Sequence, residues 1–377
     1  MKDVLLCTVG KSLIINIKSQ ERESHDYSLR ELYEKGNWIG LIKAMLQRNP
    51  EEKVLGAEIN STTSLIKKGF LDERNELYLL CSDTESGKDA AEIIKSYYED
   101  EQNPYRFNRV LIRPISGLRD DNIDLFKSSG LKNLIKEIAR IVMLAGSERI
   151  VINATAGYKA QASFAALTGQ ALEIPVLYKF ETFDEIIELP PQPLSLNFDF
   201  WLSHYNDFHL LSQEEAVESN ELLSLHKDIR AASLIEARKE DNRTIITLSP
   251  MGQLFHETFR FRFDREKDTL IPRDLPEMMR KPPSLPSDFV ATSPLSTKEF
   301  IEKIWLQKKY IKTISALSIE KSPAKFSRFV YDRLQKCVIL IFSDDERTAR
   351  FKVEIPDKNE FRLQAATVDL NQSFFRK

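Results

Sequence analysis

Cysteine is nearly missing from this 377-residue chain; Cys7, Cys81 and Cys337 are the only three. So scattered and odd a set gives no disulfide framework and no zinc-ligand spacing, and it fits a reducing cytoplasm. Long apolar runs are also missing. Cys337–Phe342 (CVILIF) falls far short of the ~18 residues that a membrane helix needs, so no membrane partner is expected. The opening MKDVLLCTVG has one lysine and then a short apolar stretch closed by Gly10, which reads as a first strand rather than a signal peptide. Histidine is scarce as well: His25, His204, His209, His226 and His256, with none after residue 256. A histidine-based catalytic triad confined to the C-terminal end is therefore excluded.

What remains is the composition of a globular protein, 42% hydrophobic and 29% charged, with a formal net charge of −3. The length fits two or three domains. The charge is unevenly spread. Residues 288–377 carry 17 Lys+Arg against 12 Asp+Glu, a net +5, which leaves −8 for the rest. A basic end on an acidic body points to an anionic partner for that end.

Residues 1–195 alternate strands and helices. Asp3–Val9, Leu77–Ser82, Arg109–Ile115, Arg149–Asn153 and Pro175–Phe180 are short, nearly continuous apolar runs, and Phe183–Leu189 reads as a last hairpin strand. Between them, Leu131, Leu134, Ile135, Ile138, Val142 and Ala145 recur at helical spacing; Ala90–Tyr98 and Lys159–Leu172 are further helices. Apolar strands alternating with helices predict an α/β domain with a mostly parallel sheet, whose ligands bind at loops beyond the strands' carboxyl ends. Residues 196–271 read as a small helix-plus-wing module, with Ser249 as N-cap of a helix and Pro250 at its first position. Five prolines between Pro272 and Pro286 predict an extended linker over 272–287. Residues 288–377 read as an α+β unit. Its expected order is a strand at Asp288–Thr292, helices at Thr297–Lys309 and from Tyr310, then strands at Cys337–Phe342, Ala349–Ile355 and Glu360–Val368.

Two loops carry the N-terminal chemistry. Thr8-Val9-Gly10-Lys11-Ser12 follows the first strand; it lacks Walker A spacing but offers a tight turn, a charge, a hydroxyl and a helix start. Asn153-Ala154-Thr155-Ala156-Gly157-Tyr158-Lys159 follows the strand RIVIN. A lysine at a helix N-terminus gains nothing from the dipole, so Lys159 points to a bound anion; Tyr158 offers a ring to stack on a base. Together these loops resemble those of the CARF family, the CRISPR-associated Rossmann-like sensors: a Thr-x-Gly-x-Ser type loop at Thr8–Ser12 and an Asn-x-Thr-Gly-Gly-x-Lys type loop at Asn153–Lys159, with Ala156 in place of the first glycine. Gly56–Ser61 and Cys81-Ser82-Asp83-Thr84 add to the likeness. The resemblance implies a homodimeric sensor of cyclic oligoadenylate, cyclic tetra-adenylate foremost, as allosteric activator with no other cofactor and no metal. It assigns ligand contacts to Thr8, Gly10, Lys11, Ser12, Asp83, Thr84, Asn153, Thr155, Ala156, Gly157, Tyr158 and Lys159. It also implies possible slow ring cleavage by Ser12, Thr155 and Lys159. The segment Leu248–Gly252 looks like the winged-helix connector that follows many such domains.

The effector is narrowed by elimination. A HEPN ribonuclease needs Arg followed four to six residues later by His, and neither His226 nor His256 has one. A PD-(D/E)xK nuclease needs Glu-x-Lys, which is absent beyond residue 288. The expected strand, two helices and three strands resemble the RelE family of toxin endoribonucleases. That resemblance implies metal-independent cleavage of mRNA on the ribosome, with Arg350 and Lys352 on one strand and Arg347 and Arg362 flanking the scissile phosphate; cations there stabilise the developing charge. The strand Cys337–Phe342 lacks the family's lysines, and Phe374 or Phe375 stands where many members have Tyr. Lys308–Lys336, with eight basic and two acidic residues, would suit RNA. Two other functions stay open: a CARF-regulated metal-dependent nuclease, and a ligand-sensing winged-helix transcriptional regulator.

Overall fold

The structure, a computed structural model, describes residues 1–21, 27–180, 185–191, 197–213, 217–218, 225, 228–240, 243–324 and 326–375. His25, His226 and the expected boundary at 195 lie outside them, as do the first residues of the expected strand Phe183–Leu189. The chain divides into two compact units: Met1–Leu196 with Ile229–Phe261, and Asn197–Asp228 with Arg262–Lys377.

The first unit is built on β1 (Val4–Thr8), β2 (Glu76–Ser82), β3 (Arg109–Ile115), β4 (Ile150–Asn153), β5 (Val176–Lys179) and β6 (Ile186–Leu189). Their order is β3-β2-β1-β4-β5-β6, parallel throughout except for the antiparallel β5–β6 hairpin. Its helices are α1 (Ser12–Lys18), α2 (Tyr27–Glu34), α3 (Trp38–Leu46), α4 (Gly56–Lys67), α5 (Glu85–Glu99), the single turn α6 (Ile123–Leu125), α7 (Leu131–Ala145) and α8 (Lys159–Ala171). β1 shows why the sheet needs cover on both faces. Leu5 and Cys7 join a core with α1, α4 and α5, while Val4 and Leu6 join a second core with α7 and α8. All four are at most 1% exposed, and a buried leucine or valine contributes about 1.5–3 kcal/mol. The expected stripe on α7 is the stripe that is buried: Leu131, Leu134, Ile135, Ile138 and Val142. In this strand order the winding reverses between β1 and β4, which is where a doubly wound sheet opens a crevice for ligands.

The next stretch contains α9 (Phe198–Ser203), α10 (Tyr205–Gln213), β7 (Val217–Glu218), β8 (Ile235–Glu240), β9 (Arg243–Leu248) and α11 (Pro250–Leu270). Ser249 caps α11 as its sequence predicts, its hydroxyl accepting from the Gly252 N–H at 3.0 Å. Residues 196–271 do not cluster as a unit of their own; 197–228 belong to the second unit and 229–261 to the first.

The C-terminal elements are α12 (Ser287–Thr292), α13 (Thr297–Gln307), β10 (Thr313–Glu320), β11 (Arg328–Asp332), β12 (Cys337–Ser343), β13 (Thr348–Glu354) and α14 (Glu360–Phe374). The four strands form an antiparallel sheet of order β10-β13-β12-β11. One face packs on α13 and α14 through Ile304, Ile314, Phe329, Leu340, Phe351, Leu363 and Leu370. Three expectations are corrected here. Asp288–Thr292 is a helical turn, whose Phe289 rests edge-on against Phe351. The segment from Tyr310 is a strand, because β-branched Thr313, Ile314 and Ile319 favour the pleated conformation. Glu360–Val368 is helical: Leu363, Ala366 and Leu370 recur at three- and four-residue steps into the core, and Asn359 caps the first turn. The layout is thus helices, four strands and a helix, not the strand, two helices and three strands on which the RelE resemblance rests.

The proline-rich stretch is no free linker. Leu275 N–H donates to Lys309 O at 3.1 Å, Lys281 N–H to Lys312 O at 2.8 Å and Ser284 N–H to Ile314 O at 2.8 Å. Ser284 bridges Ser315 in parallel. The segment covers the outer edge of β10, which would otherwise expose unpaired backbone groups. Arg280 pins it, with its guanidinium 4.3 Å from the Trp305 ring centroid and hydrogen bonds to Trp305 O and to Ile311 O. Within the same unit Asp369 of α14 is fully buried and holds Lys267, Lys308 (2.7 Å) and the Tyr310 hydroxyl (2.6 Å).

Candidate functional site

The two sequence-predicted loops meet at the reversal point. Thr8 ends β1, Asn153 ends the neighbouring β4, and Cys7 lies opposite Asn153 in register. Contact is backbone to backbone: a Cβ on Gly10 would stand 2.9 Å from Gly157 N and 3.0 Å from Gly157 Cα. Gly157 itself has φ +97°, which favours glycine. Ala156 is buried and its φ is not positive, so the missing first glycine costs the turn nothing.

The first loop is ordered by a residue to which sequence reasoning gave no role. Glu58 of α4 is fully buried, and its carboxylate accepts from Gly10 N–H at 2.8 Å and from the Ser12 hydroxyl at 2.7 Å. Ser12 Oγ in turn accepts from Ala57 N–H at 3.0 Å. Gly56 makes this possible, since with φ +79° a Cβ there would meet the Leu13 backbone at 2.8 Å. Gly10 N–H and the Ser12 hydroxyl therefore already serve Glu58. Thr8 is buried and its hydroxyl donates to Ala156 O, a second tie between the loops.

The second loop is likewise held from within. Asn153 is buried; its amide donates to Ser61 Oγ at 2.8 Å and Thr62 Oγ1 at 3.2 Å. Its Oδ1 accepts from the Thr155 hydroxyl at 2.6 Å and from Thr155 N–H at 3.2 Å. Thr155 Oγ1 also accepts from Lys179 N–H at 2.9 Å. Gln161 accepts from Tyr158 N–H at 3.2 Å and donates to Leu80 O at 2.9 Å, fastening the start of α8 to β2. Asn153 and Thr155 therefore build the loop rather than stand open to a ligand. Lys159 begins α8, is exposed, and has no ion pair with any described residue.

Tyr158 is not the free stacking surface its sequence position implies. Its half-buried ring packs edge-on against Phe126 with centroids 5.7 Å apart, and its hydroxyl is buried beside Lys11 and Asp120 without a hydrogen bond of normal geometry. Burial raises its pKa above the ordinary phenol value. Lys11 Nζ donates to both carboxylate oxygens of Asp120 at 2.9 Å. Burial alone would lower the Lys11 ammonium, but the hydrogen bond to Asp120 and the nearby Tyr158 hold it above its ordinary value. That same hydrogen bond holds Asp120 below the usual carboxylate range. Asp83, at the end of β2, accepts from Gly117 N–H at 2.9 Å through Oδ2, while its Oδ1 is buried without a partner. Thr84 is the N-cap of α5, accepting from Gly87 N–H at 3.2 Å.

The four cationic residues assigned to catalysis do not converge. Arg350 and Lys352 do share a face of β13, opposite Ile341 and Ile339 of β12 and away from the core under α13 and α14. Arg350 Nε is 3.0 Å from Glu320 Oε1. Arg328 of β11 lies on the same face, opposite Ile341. Arg347 precedes β13 and donates to Thr292 O at 3.2 Å. Arg362 lies beyond the other end, on α14, 3.7 Å from Asp357. A seven-residue strand spans about 20 Å, so Arg347 and Arg362 cannot flank one phosphate. Among the described residues no group of three or more His, Cys, Asp or Glu is disposed to hold a metal ion, and no helix is long and apolar enough to cross a membrane.

Comparison with known proteins bears on the first unit. No curated protein matches the chain. Solved structures that align with it include Can2 from Sulfobacillus thermosulfidooxidans in complex with cyclic tetra-adenylate, at 12% identity over 71% of this chain and 67% of that one, and protein VC1899 from Vibrio cholerae, at 10% over 93% and 77%. Both TM-scores are 0.25. Residues 53–192 match the family model described as CRISPR-associated protein (Cas_APE2256), a span that holds Glu58, Asp83, Thr84 and the whole Asn153–Lys159 loop.

Proposed function

We propose that this chain is a CRISPR-associated effector responding to cyclic oligoadenylate, with cyclic tetra-adenylate the leading candidate. The observation that carries the reading is the match of residues 53–192 to a CRISPR-associated family. The geometry supports it in a specific way. Two glycine-bearing loops close on one another at the reversal point of a parallel sheet, and Lys11 and Lys159 belong to those loops. A ring of phosphodiesters needs cations and a backbone it can approach closely; the exposed Lys159 and Gly157 offer these, and Lys11 adds a second cation once it is freed from Asp120. A rotationally symmetric ring is matched by two copies of one loop pair, so the active form is a homodimer. Ser12 and Thr155 donate their hydroxyls to Glu58 and Asn153, which leaves Lys159 the freest of the residues proposed for slow ring cleavage.

The second unit is proposed to act on RNA. With the strand order changed, metal-independent cleavage of mRNA rests on Arg350 and Lys352 rather than on a RelE layout. The stretch 196–271 is proposed to relay ligand binding. The test is an in vitro translation assay with purified cyclic tri-, tetra- and hexa-adenylate, run beside calorimetric ring binding. One ring is expected to bind and to arrest translation; Lys159→Ala should lose both effects, and Arg350→Ala should keep binding and lose arrest. Translation undisturbed by every ring that binds would remove the RNA reading while leaving the sensor.

A further inference from the structure

Lys11 is the one cation of the first loop, and it is already engaged. Its ammonium donates to both oxygens of Asp120 at 2.9 Å, a residue 109 positions away. The lysine side chain is 28% exposed and the aspartate side chain 49%, so the pair sits at an opening that solvent reaches. Asp120 belongs to the stretch 117–122 that follows β3. That stretch is fixed at its ends. Gly117, at φ +77°, donates to Asp83, and Asn122 caps α6 by accepting from Leu125 N–H at 2.9 Å. Between the ends, Arg119 is taken by Asp121, with contacts of 2.6 and 2.7 Å. Asp120 is left as the acid that reaches across to the first loop. Beside the pair, the buried Tyr158 hydroxyl lacks a normally placed partner, and the Lys11 ammonium is 5.9 Å from its ring centroid.

We propose that Asp120 is a latch on the anion site, occupying Lys11 until a phosphodiester displaces it. This rests on the sensor reading above and adds the residue that sets its affinity. A carboxylate and a phosphate compete for one ammonium, and two anions within a few ångströms repel one another. An exposed ion pair is cheap to break, so the incoming phosphate can displace it. Asp120 then loses its partner, and residues 119–121 are released while Gly117, the fully buried Leu118 and Asn122 stay held. The Tyr158 hydroxyl, already facing the ammonium, gains an acceptor when the phosphate arrives. The ligand therefore binds the released arrangement better than the latched one, which is what a ligand must do to shift a conformation.

The test is calorimetric binding of cyclic tri-, tetra- and hexa-adenylate to the full chain, with hydrogen exchange of residues 119–121 measured alongside. Asp120→Asn should bind the preferred ring about two- to ten-fold more tightly than the unaltered protein, the range set by an exposed ion pair and a nearby like charge. Asp121→Asn, which touches Arg119 instead, should bind as the unaltered protein does. The gain from Asp120→Asn should vanish in a Lys11→Ala background, a result that a merely structural role for Asp120 would not produce. Without ligand, Lys11→Ala should speed exchange at residues 119–121. Unchanged or weaker binding by Asp120→Asn overturns the latch. If the unaltered protein binds none of the rings, the sensor reading fails, and unchanged exchange in Lys11→Ala then overturns the latch by itself.

Discussion

Asp369 shows how a single side chain carries more of the fold than its sequence context announces. Burial would raise its carboxyl, but hydrogen bonds from Lys267, Lys308 and Tyr310 outweigh that and hold it below the usual range. Its folded value lies below its unfolded one, so the contribution to stability is present at neutral pH. It is lost as the pH falls through the folded value, below about 3.9. Asp369→Asn should cost about 3 kcal/mol in urea unfolding at pH 7, because two lysines are left partly buried without their counter-ion. The gap from the unaltered protein should narrow as the pH falls below about 3.9. Residues of this kind mark the limit of what the sequence discloses. Gly10, Gly157 and Lys159 are legible because loop chemistry is local. Glu58 and Asp120 are not legible as partners, since each acts on the first loop from 46 and 109 positions away. Asn153 and Thr155 were legible as hydrogen-bonding residues, but not as residues that spend those bonds on each other.

Among the elements, the N-terminal strands and helices follow from periodicity because nearly continuous apolar runs admit few alternatives. The C-terminal ones were harder. Phe361–Val368 mixes apolar and polar residues so closely that strand and helix patterns both fit, and only the core under β12 and β13 decides for a helix. The proline-rich stretch misled for a different reason. Proline forbids helix and central strand, and an extended segment fits a free linker as well as one laid along a sheet edge. Arg280 separates the two. Arg280→Ala should lower stability by about 2 kcal/mol through loss of its ring contact and carbonyl bonds, read in denaturant titrations through Trp305 fluorescence. A stretch that was a true linker would show no change.

The molecule as a whole alters the meaning of its charge. The +5 of residues 288–377 shares a unit with residues 262–287, at +1, and with residues 197–228, at −6, so that unit is formally neutral. Any attraction to RNA is then local to cations such as Arg350 and Lys352 and not a property of a basic domain. Two phosphate contacts give a logarithmic salt slope near −1.4, so raising salt from about 50 to 200 mM should weaken binding of single-stranded RNA roughly sevenfold. A much steeper loss in fluorescence anisotropy would point to many more contacts than these two residues supply.

The strap over β10 also bears on where the chain can be cut and rejoined. Recombination that joined a new tail at residue 288 would leave β10 with a bare edge, ready to pair with another chain. The segment that can be exchanged without that penalty begins before Pro272. The prolines that look like a seam between modules belong, by their hydrogen bonds, to the one they precede.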